Sequence, residues 1–110
     1  METVAEQFNA RINAHDLTGL GRLMSDDHRF VDTGGNVVAG KRACLAAWSE
    51  FFVAFPEYRN VVDSVTTEGS RISITGHSIC PGHPALEGPA RWTAVISADE
   101  LVAEWHVQQG

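Results

Sequence analysis

The segment DLTGLGRLMSDDHRFVDTGG, residues 16–35, followed by VVAGKRACLAAWSEFFVAFP, residues 37–56, decides the fold of this chain. It reads as a short helix that ends in a polar break, then a strand carrying one carboxylate, Asp32, among apolar residues. A glycine turn follows, then a strongly apolar helix stopped by Pro56. An acid delivered toward an apolar helix is one way to build a pocket that holds a single acid/base group.

Reading outward from this segment, Thr3 and Glu6 form a capping-box pattern ahead of an amphipathic helix. Val4, Phe8 and Ile12 line its inner stripe, and it ends near His15. Asp16 can cap a second short helix with Leu17, Leu20 and Leu23/Met24 inward, weakened by Gly19 and Gly21. Asp26-Asp27 break that pattern, and the strand runs from His28 to Thr33. Gly34-Gly35-Asn36 is a tight turn, and Val37-Val38 a short return strand. In the helix from Lys41 to Phe55 the apolar face of Cys44, Leu45, Trp48, Phe51, Phe52 and Phe55 is wide, which predicts burial on most sides.

The rest is β. Strands are expected at Tyr58 to Thr67, Arg71 to Cys80, Ala90 to Ser97 and Leu101 to Gln108. Turns fall at Glu68-Gly69-Ser70 and Ala98-Asp99-Glu100, and Pro81 to Pro89 is an irregular loop. Helices first and hairpin-connected strands afterwards predict an α+β domain with one curved antiparallel sheet around the helix from Lys41 to Phe55. The chain of 110 residues reads as a single domain, 1–110.

Composition narrows the function. A formal net charge of −6 argues against a nucleic-acid or anionic-membrane surface. The longest apolar run, Phe51 to Phe55, is too short to span a bilayer. The acidic start lacks the apolar core of a signal peptide, so the expected compartment is the cytoplasm. Two cysteines, Cys44 and Cys80, make no disulfide framework. No metal and no cofactor are expected. His77, Cys80 and His83 form H-x-x-C-x-x-H without the second ligand pair of a structural zinc site. Gly34-Gly35 is a hairpin turn rather than a phosphate loop, and no Ser or Cys stands in a nucleophile elbow.

The order of elements, the helix FNARINAHDLTGL, the segment DDHRFVDTGG, TGHS around His77 and the final LVAEWHVQQ resemble the nuclear transport factor 2-like cone fold. Within it the chain is most similar to SnoaL-like polyketide cyclases and ketosteroid isomerase. The resemblance implies a cone-shaped sheet with two N-terminal helices, a homodimer paired through the sheet, and Asp32 at the position of the isomerase's general base. It also places His77 toward the pocket. Three groups depart from the pattern. Phe8 stands where the isomerase has its oxyanion-hole Tyr, the strand around Trp92 carries no acid, and Trp105 is followed by Gln109 where cyclases often place a catalytic Asp.

The residues themselves leave alternatives. Asp32 in an apolar cavity would have its carboxyl pKa raised by desolvation and act as a base; a strand-end Asp can instead cap the following turn. Strict alternation puts His77 on the outer face, against the resemblance, and a bulge near Gly76 could reconcile the two. Phe8, Trp48, Phe52, Tyr58, Trp92 and Trp105 are expected as core or pocket wall for a flat hydrophobic ligand. Gln109 either orients a carbonyl or frays at the end of the chain. The resulting expectation is a cofactor-independent enzyme, with Asp32 and His77 catalytic, for isomerisation, aldol-type cyclisation or dehydration of a hydrophobic carbonyl compound. The other reading is a non-catalytic small-molecule-binding or dimerisation module.

Overall fold

The computed structural model describes residues 2–109. Helix α1 (Val4–Asn13) begins as its capping box requires. The Glu6 N–H donates to Thr3 Oγ1 at 3.1 Å, and the Thr3 N–H donates to Glu6 Oε1 at 3.0 Å. Its inner face buries Ala5, Phe8, Asn9 and Ile12. Helix α2 (Leu17–Leu23) is capped by Asp16, whose Oδ1 accepts the Gly19 N–H at 2.9 Å. A Cβ at Gly19 would collide with that carboxylate, so the glycine that weakens the helix is what admits its cap.

Strand β1 (Met24–Val31) leaves α2 without a linker, four residues earlier than the sequence reading placed it. Asp26 and Asp27 do not break the element. They lie exposed where the pairing of β1 shifts between Met24 and Arg29, an irregularity that lets acids turn outward from a strand. Strand β2 (Val37–Ala39) returns beside β1, and α3 (Lys41–Ala54) follows. Strands β3 (Arg59–Glu68), β4 (Arg71–Ile79), β5 (Gly88–Ile96) and β6 (Val102–Gln109) complete a six-stranded sheet ordered β2-β1-β6-β5-β4-β3. The layout is the expected α+β arrangement, with one addition. The β1–β6 pair is parallel, because the chain returns to its first strand only after the whole meander.

The three helices cover one face of the sheet. Helix α3 buries Cys44, Trp48 and Phe52 but leaves Val53 81% exposed. It therefore lies across the sheet with an open back and is not enclosed on most sides; its wide apolar face also serves a cavity. Trp105 and Phe8 pack at 4.7 Å between ring centroids in the centre of the core. Side-chain amides fasten α1 to β3. The Asn60 N–H donates to Asn13 Oδ1 at 2.8 Å, Asn13 Nδ2 donates to the Asn60 carbonyl at 2.9 Å, and Asn60 Nδ2 donates to Asn9 Oδ1 at 2.9 Å.

The covered face tapers in side-chain volume. Register pairs Ile72 with Ala94 and Ile74 with Trp92, then Gly76 with Ala90 and Ser78 with Gly88. Large residues close the first end of β4 and small ones leave the other end open.

His28 is the one fully buried histidine among the described residues. Its Nδ1 lies 2.6 Å from the Val102 carbonyl, which can only accept, so Nδ1 carries the proton and Nε2 is left without a partner. Burial pushes its pKa below 6.5, against the opposing effects of the Val102 bond and the Asp27 and Glu104 charges. The folded state thus favours neutral His28. That stabilisation is complete above pH 6.5 and is lost as pH falls from there toward the lower folded value, at up to about 1.4 kcal/mol per pH unit. Melting curves between pH 8 and 5 are expected to show the loss in the wild type. They should show less of it in His28→Asn, which keeps a donor but cannot be protonated; equal slopes would overturn the assignment.

Candidate functional site

A cavity of about 500 Å³ opens at the small-residue end of the sheet, within the range of small-molecule sites. Its wall is aromatic. Phe30 meets Trp48 edge-on at 5.6 Å, Trp48 meets Phe51 at 5.8 Å, and Phe51 meets Tyr58 at 4.9 Å and 84°. Ala47 and Cys44 of α3 and Val107 of β6 fill the spaces between. The loop before β5, with Ala85, Leu86 and Glu87, and the first residues of β5, Gly88 and Pro89, form the roof. Glu87 Oε2 accepts the Cys80 N–H at 3.3 Å and ties that loop across its own base. Gly82 and Gly88 take positive φ, 83° and 127°, at the two ends of the roof.

Asp32 stands at the cavity lip, just past β1, but its environment is the opposite of the expected desolvated one. Its Oδ1 accepts the Gly34 and Asn36 N–H groups at 2.9 Å each, and its Oδ2 accepts Asn36 Nδ2 at 3.1 Å. These bonds, those from Asn36 foremost, hold the carboxyl below 3.8 and outweigh desolvation. The expectation of a raised pKa is corrected: Asp32 is the cap of the Gly34-Gly35 turn and an ionised group at the lip of the cavity.

His77 does not reach the cavity. It lies on the uncovered face of β4, its side chain 45% exposed and 4.0 Å from Asp63 Oδ2. Alternation along β4 sets this. Ile72, Ile74 and Cys80 are buried, and Ser78 lines the cavity beside His77. The bulge that could have turned His77 inward lies on β3 instead, between Val62 and Ser64. It changes the parity of β3, so that Val61 shares the outer face with His77 while Val65 packs inward opposite Ile74.

Of the other expected site residues, Trp48, Tyr58 and Gln109 line the cavity with Asp32. Phe8, Trp92 and Trp105 are core, at 0–1% exposure. Phe52 turns away to stack on His15 at 4.4 Å. The sequence reading missed Ser78, Phe30, Phe51 and Glu87. For Ser78 the signal was present, since the parity that excludes His77 admits its neighbour.

Two further polar groups bear on the chemistry. Burial pushes the Tyr58 phenol up, only partly offset by the Ser78 hydroxyl, so Tyr58 stays protonated at neutral pH. Burial also raises the Cys44 thiol, which donates to the Val38 carbonyl at 3.3 Å; it is a packing group rather than a nucleophile. Among the described residues no group of three His, Cys, Asp or Glu could hold a metal, and no helix is long and apolar enough to cross a membrane.

No curated protein matches this chain in sequence. Solved structures share its shape. A candidate polyketide cyclase from Sinorhizobium meliloti aligns with a TM-score of 0.85 at 16% identity, over 98% of this chain and 95% of its own. A candidate SnoaL-like polyketide cyclase from Shewanella putrefaciens aligns at 0.81 and 16%, over 94% and 75%. An uncharacterized cystatin-fold protein from Novosphingobium aromaticivorans aligns at 0.82 and 17%, over 96% and 95%. At these identities the likeness is one of fold. Residues 5–110 match the SnoaL-like domain family, and the chain belongs to that family.

Proposed function

We propose that the cavity takes a hydrophobic carbonyl compound and that the protein moves a proton on it without a cofactor, in an isomerisation, cyclisation or dehydration. The observation that carries this is the aromatic chamber with an ionised carboxylate, Asp32, at its lip. An ionised carboxylate can take a proton from the carbon next to a carbonyl, and the apolar wall excludes the water that would compete. The test is hydrogen exchange in D₂O at the carbon next to the carbonyl of 2-tetralone, followed by NMR. Saturable exchange above the buffer rate is expected.

A specific observation favours the second reading, a binding module. Three hydrogen bonds to Asp32 make it a weaker base than a bare, desolvated carboxylate. Tight binding of the ketone with no exchange above buffer would decide for that reading. Absence of binding would sink both.

Assembly belongs to the same proposal: two copies pair through the uncovered face of the sheet. That face mixes Val61, Ile79 and Val95 with Arg91 and the His106–Glu104 pair at 2.7 Å, and Thr93 at its centre is already 93% covered by its neighbours. A dimer burying more than roughly 1,000 Å² in total is expected. Light scattering at tens of micromolar checks it, and a monomer mass would refute it.

A further inference from the structure

The mouth of the cavity carries an acid on each side of one strand. Strand β6 ends there at Gln109, between β1 and β5. Asp32 follows β1, which runs parallel to β6, and Glu87 precedes β5, which runs antiparallel to it. Both acids therefore reach the same end of the sheet as Gln109. Among the described residues neither acid is in an ion pair, and no Lys, Arg or His lines the cavity. Behind the mouth stand the rings of Phe30, Trp48, Phe51 and Tyr58. A cleft lined by one sign of charge and walled by apolar side chains focuses the field and gathers ions of the opposite sign. Aromatic rings act in the same direction, since their π faces attract a cation and not its neutral counterpart.

The two acids are not equally placed to hold a cation. Asp32 already accepts three hydrogen bonds from its own turn. Among the described residues Glu87 accepts one long bond, from the Cys80 N–H at 3.3 Å, and it is exposed at the roof. An ionised carboxylate offers about four lone-pair sites, so Glu87 keeps most of its capacity for a ligand. An anion at the same mouth would meet two like charges with no counter-ion, which disfavours carboxylates and phosphates.

We propose that the ligand of this cavity is a cation: a hydrophobic carbonyl compound bearing an ammonium group, with the ammonium held at Glu87 and the body in the aromatic chamber. This rests on the reading of the cavity as a ligand site and adds the charge of what enters it. Asp32 strengthens the field at the mouth, and its hydrogen bonds keep it ionised there. The division of labour is one of selection. Burial in the chamber favours any flat apolar body alike, whereas the acids at the mouth tell apart molecules of one shape by their charge.

Three acetophenones that differ only in the para substituent test this, titrated by calorimetry at pH 7 and low salt. The substituents are trimethylammoniomethyl, neopentyl and carboxymethyl, which are cationic, neutral and anionic; the first two share one shape. The cation is expected to bind about three- to tenfold tighter than the neutral compound, and the anion at least about tenfold weaker than the cation. Raising the salt to ~1 M should cut the advantage of the cation below about twofold. In Glu87→Gln, whose amide oxygen can still accept the Cys80 N–H, the cation-to-neutral ratio of affinities should fall toward one. That ratio is the readout because damage to the chamber weakens both probes alike. Asp32→Asn should lower it less, and a larger fall there than in Glu87→Gln would overturn the placement of the ammonium. A neutral compound binding as tightly as the cation, an unchanged ratio in Glu87→Gln, or an anion binding as tightly as the cation would each overturn the proposal and leave the cavity reading standing. Binding of none of the three would overturn both.

Discussion

Asp32→Asn is expected to lower ketone proton exchange by at least about 100-fold, since an amide cannot take a proton at neutral pH. The cavity wall is made by other residues, so ketone binding should persist. The same substitution is expected to destabilise the fold, because it damages the turn as well as the site. Asn can still offer one oxygen to the Gly34 and Asn36 N–H groups, but its amide nitrogen would face Asn36 Nδ2, donor against donor. The pH dependence follows from the depressed carboxyl. Ionised Asp32 contributes stability above pH 3.8, and that contribution is lost as pH falls through the lower folded value. The difference in Tm between wild type and variant should therefore be full at pH 7 and shrink below pH 3.8. A variant as stable as the wild type at pH 7 would remove the turn-capping role. Undiminished exchange would remove Asp32 from the chemistry.

Gly76→Ala is expected to be the most damaging small change in the sheet. Gly76 lies opposite the β3 bulge, which presses the Val61 carbonyl against it. A Cβ there would collide with that oxygen and come within 3.2 Å of the Val62 Cα. Both obstacles are backbone, so no side chain can swing aside and one strand must shift. Overpacking of this kind costs about 1–3 kcal/mol, which for a domain of this size lowers Tm by roughly 5–15 °C. Ser73→Ala, on the outer side of the same strand, is the control and should change Tm by little. A Gly76→Ala protein that melts with the wild type would mean the strands part there at no cost.

Most of the fold was legible in the sequence because the signals were local. The Thr3–Glu6 capping box, the i+4 stripe of Phe8 and Ile12, Pro56 after the long helix, and the turn residues at Gly34 and Gly69 each act within a few positions. What was not legible depends on partners distant in sequence. The parallel docking of β1 against β6 and the amide clamp of Asn60 on Asn9 and Asn13 are examples. The site shows the same division. Alternation along β4 already placed His77 outside, and the structure follows the alternation over the resemblance. Asp32 lines the cavity, but its protonation behaviour differs from the raised pKa read from the sequence, because the hydrogen bonds that fix it come from a turn whose geometry the residue types only suggest. Trp92 and Trp105 were expected at core or pocket wall, and only the register showed that they belong to the closed end.

The taper along β4 and β5 divides the labour of these strands by position. Ile74 and Trp92 belong to the closed half that holds the domain together, whereas Ser78, Ala90 and Gly88 belong to the half that shapes the chamber. Exchanges at Ala90 or Ser78 can therefore resize or repolarise the chamber while the load on the scaffold stays nearly constant. Such a protein can wander between ligands in small steps, each of them foldable. The residues that record where it has settled are the smallest ones on its inner surface, which a reading centred on its aromatics and its charges passes over.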